Sequence, residues 1–102
     1  MTTKNAVIEK LKEVKDPELS IDIVRLGLVR NVILGPVIEG LEKHEWIEVL
    51  MTLTSPFCPY ADTLITDVEK AVESFHDGEP RVELVFEPPW EPSQELKDEL
   101  GI

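Results

Sequence analysis

Between residues 59 and 76 the apolar side chains Ala61, Leu64, Ile65, Val68, Ala71, Val72 and Phe75 recur at the spacing of one helical face, while Thr63, Thr66, Asp67, Glu69, Lys70, Glu73 and Ser74 take the other. This predicts an amphipathic helix opening at Pro59, whose fixed φ suits a first helical position, with Cys58 as its N-cap. Val7, Ile8, Leu11 and Val14 predict a shorter first helix, with Glu9, Lys10, Lys12 and Glu13 outward; it stops near Lys15 because Pro17 disfavours helix at Asp16. Period-two alternation is clearest from Trp46 to Thr54. Ile47, Val49, Met51 and Leu53 point one way and Trp46, Glu48, Leu50, Thr52 and Thr54 the other, as a half-buried strand requires. Leu28 to Leu34 and Arg81 to Phe86 read as two further strands, the latter with Val82, Leu84 and Phe86 inward and Val85 outward. Gly35-Pro36 ends the first strand, and Val37 to Glu45 is a charged connection.

The resulting order, α-β-β-α-β, predicts an α+β fold: a two-layer sandwich with both long helices on one face of a small mixed sheet, since strand, helix, strand requires a crossover. At 102 residues the chain reads as one domain spanning 1–102. From about residue 87 the tail Glu87-Pro88-Pro89-Trp90-Glu91-Pro92 is too rich in proline for a strand or helix interior. Ser93 then caps a final helix from Gln94 to Leu100, with Gly101 as its stop. With helices on one side only, Trp46, Leu50 and Val85 face outward and offer an apolar patch for association, including that of a homodimer.

Charge narrows the function classes. A formal net charge of −11 argues against nucleic acid and anionic membrane as partners, because counterion-release binding needs basic patches. Proteins, small ligands and cations remain. A single cysteine excludes an intramolecular disulfide, and the chain contains neither a charged-then-apolar leader nor a run of about 18 apolar residues; cytoplasmic localisation is expected.

The candidate chemistry centres on Cys58. A thiol at a helix start sits beside unpaired backbone N–H groups and the positive end of the dipole, which favour thiolate, while Asp62 one turn on opposes this. The competing reading is a small buried hydrophobe. One thiol does not close a metal site, for which zinc takes about four ligands and an iron–sulfur cluster usually four thiolates. His76 is separated from Cys58 by roughly 27 Å of helix and His44 by nearly 30 Å of strand, so both read as solvated loop residues. The same spacing disfavours a Cys-His hydrolase, and a thiol enzyme acting on a small substrate stands only as a third reading. Carboxylates of the Asp16-Pro17-Glu18 turn and Asp22 approach the Cys58 end if the first two strands form an antiparallel pair. Asp22 is the preferred companion, Glu18 and Asp62 lie in support, and Thr52, Thr54 and Ser55 supply hydroxyls. Asp22 reads equally as a backbone cap in a turn, and the threonines as ordinary strand residues. Trp90 either covers the core edge or takes part in the site.

Four blocks carry a family resemblance: Asp16-Pro17-Glu18-Leu19; Asp22-Ile23-Val24-Arg25-Leu26-Gly27-Leu28-Val29; Met51-Thr52-Leu53-Thr54-Ser55 with Cys58-Pro59; and Val85-Phe86-Glu87-Pro88-Pro89-Trp90-Glu91-Pro92. In this order, over nearly the whole chain, they resemble the PaaD and SufT type of iron–sulfur-cluster-assembly domain. The resemblance implies an assembly-scaffold α/β fold and a non-enzymatic accessory role in maturing iron–sulfur proteins or a metal-dependent oxygenase. It implies Cys58 as the functional residue, Asp22 as its acidic companion, a transient iron or iron–sulfur cargo, and assembly machinery or client apoproteins as partners. The alternative is an adaptor that recruits a client to a multicomponent enzyme without binding metal.

Overall fold

The computed structural model describes residues 2–54 and 59–101. In chain order these form α1 (Lys4–Leu11), β1 (Val29–Leu34), β2 (Val37–Ile38), β3 (Lys43–His44), β4 (Trp46–Met51), α2 (Ala61–Glu73), β5 (Glu79–Leu84) and α3 (Gln94–Leu100). Strand β4 lies at the centre of a three-stranded sheet, antiparallel to β1 and parallel to β5. The two strands joined by the α2 crossover therefore run the same way and are direct neighbours. The mixed-sheet, two-layer α+β expectation holds, with a two-stranded antiparallel ribbon, β2–β3, added in the charged connection.

The core lies between the sheet and the first two helices. Val7 and Leu11 from α1 and Leu64, Val68 and Val72 from α2 are fully buried, as are Ile47, Val49 and Met51, the inward set of the β4 alternation. α1 begins earlier than its apolar spacing suggests, because the Thr3 hydroxyl accepts the Ala6 N–H at 3.1 Å and so caps the helix. It ends at Leu11, and Val14 is buried from the turn that follows. α3 has the predicted bounds: the Ser93 hydroxyl accepts the Leu96 N–H, and Gly101 closes it in the left-handed conformation that favours glycine.

Boundaries of three further elements differ from expectation. β5 begins at Glu79 rather than Arg81, since Pro80 is tolerated on an edge strand, and ends at Leu84. The alternation thus stops before Phe86, which is 40% exposed rather than inward. β4 ends at Met51, where its β5 partner runs out, although the Thr52 N–H still donates to the Leu28 carbonyl at 2.8 Å. The N-cap of α2 is Tyr60, two residues beyond the expected Cys58, because Pro59 and Tyr60 form a turn ahead of the first helical residue.

Cross-strand register places Trp46, Glu48 and Leu50 on the sheet face away from the helices, beside Glu79, Arg81 and Glu83 of β5. The Arg81 guanidinium lies 4.5 Å from the Trp46 ring centroid, and Gly35 packs against the same indole, so closely that a Cβ there would fall 2.6 Å from the ring. Trp46, Leu50 and Val85 are each half-buried, and on this face charges alternate with the apolar side chains.

Candidate functional site

The loop after α1 is built on two aspartates that bind their own backbone, as aspartate does in turns. Asp16 Oδ1 accepts the N–H groups of Glu18 at 2.8 Å and Leu19 at 3.2 Å, and its carbonyl accepts that of Ser20. Asp16 is only 1% exposed, and its Oδ2 has no hydrogen-bond partner among the described residues. Asp22 Oδ1 accepts the Arg25 N–H at 2.8 Å and its carbonyl that of Leu26 at 3.0 Å, opening a turn that closes at Gly27, whose φ is +76°. Of the two roles read for Asp22, the backbone cap is the one its Oδ1 makes. Glu18 is exposed on the same loop.

This loop delivers two carbonyls to distant parts of the chain. Leu28 O takes the Thr52 N–H, and Leu26 O takes the Trp90 Nε1–H at 2.6 Å. Trp90 is thereby fixed through its polar edge while its ring packs on the core. Arg30 Nη2 donates to the Pro88 carbonyl at 2.7 Å, a second tie on the tail. Thr52–Thr54 on one side and Phe86, Glu87, Pro89 and Trp90 on the other line a groove of about 270 Å³. Loop 16–28, segment 52–54 and tail 86–90 thus converge where β4 runs toward α2. Thr52 is buried, Thr54 half-buried and Asp62 exposed in the first turn of α2. Ser55 and Cys58 lie outside the described residues.

At the opposite end of the sheet, one expectation is corrected. His44 is a buried residue, 8% exposed, not a solvated one; its Nδ1 lies 3.3 Å from Asp77 Oδ2, and its backbone N–H donates to the Asp77 carbonyl at 2.9 Å. Asp77 Oδ2 also accepts the Thr2 N–H at 2.6 Å. Burial pushes the Asp77 carboxyl up, but hydrogen bonds from Thr2 and His44 and the charge of His44 outweigh it and hold the group below its ordinary value. His76 is exposed, as expected. Sequence reading also missed Asp16 as a buried carboxylate; the Asp-Pro-Glu turn was visible, but not the fold that covers it.

Chemically, the converging loops offer hydroxyls, backbone groups and carboxylates. Among the described residues no group of three histidine, cysteine, aspartate or glutamate side chains is placed to hold a metal ion, and no helix is long and apolar enough to cross a membrane.

Residues 4–84 match the profile of the family described as iron-sulfur cluster assembly protein. The chain is 37% identical, over 99% of its length and 93% of the relative's, to an Fe-S protein maturation auxiliary factor of Porphyromonas gingivalis. It is 35% identical, over 97% of its length and 94% of the relative's, to another protein of that description from Bacillus subtilis. Among solved structures, a conserved hypothetical protein from Thermotoga maritima superposes with a TM-score of 0.79 at 37% identity, covering 99% of this chain and 96% of that one. Fold, sequence blocks and profile therefore agree: the chain belongs to the iron-sulfur cluster assembly protein family.

Proposed function

We propose that this protein is an auxiliary factor in the maturation of iron–sulfur proteins and that the Cys58 thiolate holds iron or an iron–sulfur cluster briefly, as cargo, for delivery to a client. The observation that carries this reading is the convergence of loop 16–28, segment 52–54 and tail 86–90 at the point where the chain enters the stretch bearing its sole cysteine. The names of its relatives support the same role. Because one thiolate satisfies about a quarter of a cluster's usual protein ligands, the rest of the shell comes from a second copy, a client or a small thiol. Such an open shell suits transfer better than storage. Asp22 and Asp16 order the loop that meets segment 52–54, with Asp22 as the acidic companion of Cys58; Thr52, Thr54 and Ser55 provide hydrogen-bonding groups. Glu18, Asp62 and Trp90 are supporting residues, and Trp46, Leu50 and Val85 form the surface for association.

Anaerobic reconstitution with iron and sulfide, followed by desalting and iron analysis, tests the reading directly. The native chain retains iron and Cys58→Ala does not. Equal retention by both would remove Cys58 from the mechanism. Asp22→Asn, which keeps the acceptor for the Arg25 N–H, separates the two roles of that residue: lowered iron retention in a fully folded protein marks it as more than a cap.

A further inference from the structure

The parallel β4–β5 ladder ends at the Met51–Leu84 pair, with one more bond from the Val85 N–H to the Met51 carbonyl at 2.8 Å. Past that point the two chains separate, and the groove between Thr52–Thr54 and the tail opens in the gap. Its tail wall is prepositioned by the Trp90–Leu26 and Arg30–Pro88 hydrogen bonds, so that binding there requires little ordering. Among the described residues the N–H groups of Leu53 and Phe86, one on each wall, donate to no carbonyl. An extended chain laid between the walls can supply acceptors to both, as strand addition does. Phe86, 40% exposed, and the Trp90 ring give the slot its apolar surface.

Charge selects the occupant. Glu87 lines the groove, Glu83 and Glu91 are exposed four residues to either side of it in sequence, and none of the three forms an ion pair among the described residues. The neighbouring cation, Arg30, is turned to the Pro88 carbonyl instead. The whole chain carries −11, which adds long-range attraction for a basic partner.

We infer that this groove is a docking slot for an extended segment of a client protein in which an apolar side chain is flanked by lysine or arginine. This rests on the reading of the protein as a maturation factor and names the kind of segment by which it grips its client at segment 52–54.

The chain has two tryptophans, so Trp46→Phe leaves Trp90 as the single fluorescent reporter of the groove. The probes are blocked hexapeptides of alternating lysine and leucine, and of alternating glutamate and leucine. The lysine peptide is expected to change Trp90 emission saturably, and the glutamate peptide to bind at least about tenfold more weakly. Glu87→Lys weakens the lysine peptide about tenfold, equivalent to about 1.4 kcal/mol. Glu39→Lys, in the ribbon at the other end of the sheet, leaves it unchanged. Isothermal titration calorimetry on the unsubstituted chain repeats the peptide comparison without the Trp46 change. Equal binding of both peptides, absence of binding, or equal weakening by Glu39→Lys and Glu87→Lys each overturns the slot. Cys58→Ala keeps peptide binding. Loss of the cargo reading with peptide binding intact, or the reverse, therefore shows which of the two proposals has failed.

Discussion

Asp77→Ala should cost as much as many core truncations, although the residue lies in a turn at the opposite end of the sheet from the candidate site. Its carboxylate joins three parts of the sequence: the N-terminal segment through Thr2, the β2–β3 ribbon through His44, and the α2–β5 turn to which it belongs. Alanine removes the acceptor of two hydrogen bonds, one at 2.6 Å from Thr2 and one at 3.3 Å from the His44 ring, whose side chain is 9% exposed. Bonds to a charged acceptor are each worth about 1.5–3 kcal/mol. The Thr2 bond is only part-buried and the His44 bond is long, so both belong at the lower end, and the expected loss is about 2–4 kcal/mol. Against a stability of roughly 5–15 kcal/mol for a domain of this size, that lowers Tm by about 10 °C or more. Asp77→Asn keeps one acceptor oxygen but no charge and should lose roughly half as much.

The pH dependence distinguishes the charged bond from simple packing. The folded carboxyl is held below its ordinary value of 3.8, so the unfolded chain takes up the proton first as pH falls. The stabilising contribution is therefore fully present above 3.8 and is lost as pH drops through the lower, folded value. Urea titrations of wild type and Asp77→Asn from neutral to about pH 2 should show a gap that is flat at first and then closes. A double-mutant cycle with His44→Ala isolates the His44 share. An Asp77→Ala variant within about 0.5 kcal/mol of wild type, the range of ordinary surface changes, would refute the reasoning.

Other substitutions probe the packing and the tail. Gly35→Ala forces a Cβ to 2.6 Å from the Trp46 ring, so it should cost about 1–3 kcal/mol by overpacking and shift Trp46 emission; unchanged spectra and stability would contradict the close approach. Trp90→Phe removes the N–H bonded to the Leu26 carbonyl, costing about 0.5–1.5 kcal/mol, and limited proteolysis within the 86–93 stretch should accelerate. Asp16→Asn keeps the Oδ1 acceptor of the turn, so it should cost less than Asp16→Ala, which loses the turn and about 1–2 kcal/mol; chemical denaturation compares the two, and equal losses would contradict the Oδ1 role.

The elements that were legible in the sequence are those whose signal is periodic or local. β4 declares itself because every second residue from Ile47 to Met51 is buried, α2 because Leu64, Val68 and Val72 share a stripe, and α3 because Ser93 and Gly101 are caps with a single mechanism each. What escaped depends on long-range placement. His44 carries a polar side chain in a charged connection, and its burial involves contact with residue 77, 33 positions away. The depth of Asp16 is set in the same way by what packs over the turn, not by the turn itself. Pro59 does suit a helix start, but Tyr60 intervenes, and proline chemistry alone does not distinguish the first helical residue from the turn before it. At the candidate site, the convergence of loop 16–28 with segment 52–54 followed from the antiparallel pairing of the first two strands. The hold of Trp90 on Leu26 did not, since the tail has no periodicity from which a docking place can be read.

The two ties on that tail are asymmetric in kind: the donors are side chains, Arg30 and Trp90, and both acceptors are main-chain carbonyls. Residues 26 and 88 enter these two ties through main-chain atoms alone, so neither tie depends on their side chains, while each can be undone by a single codon change at Arg30 or Trp90. A lineage that discards the arginine and the indole together would keep the sheet and helices, but the wall they hold against Thr52–Thr54 would swing loose.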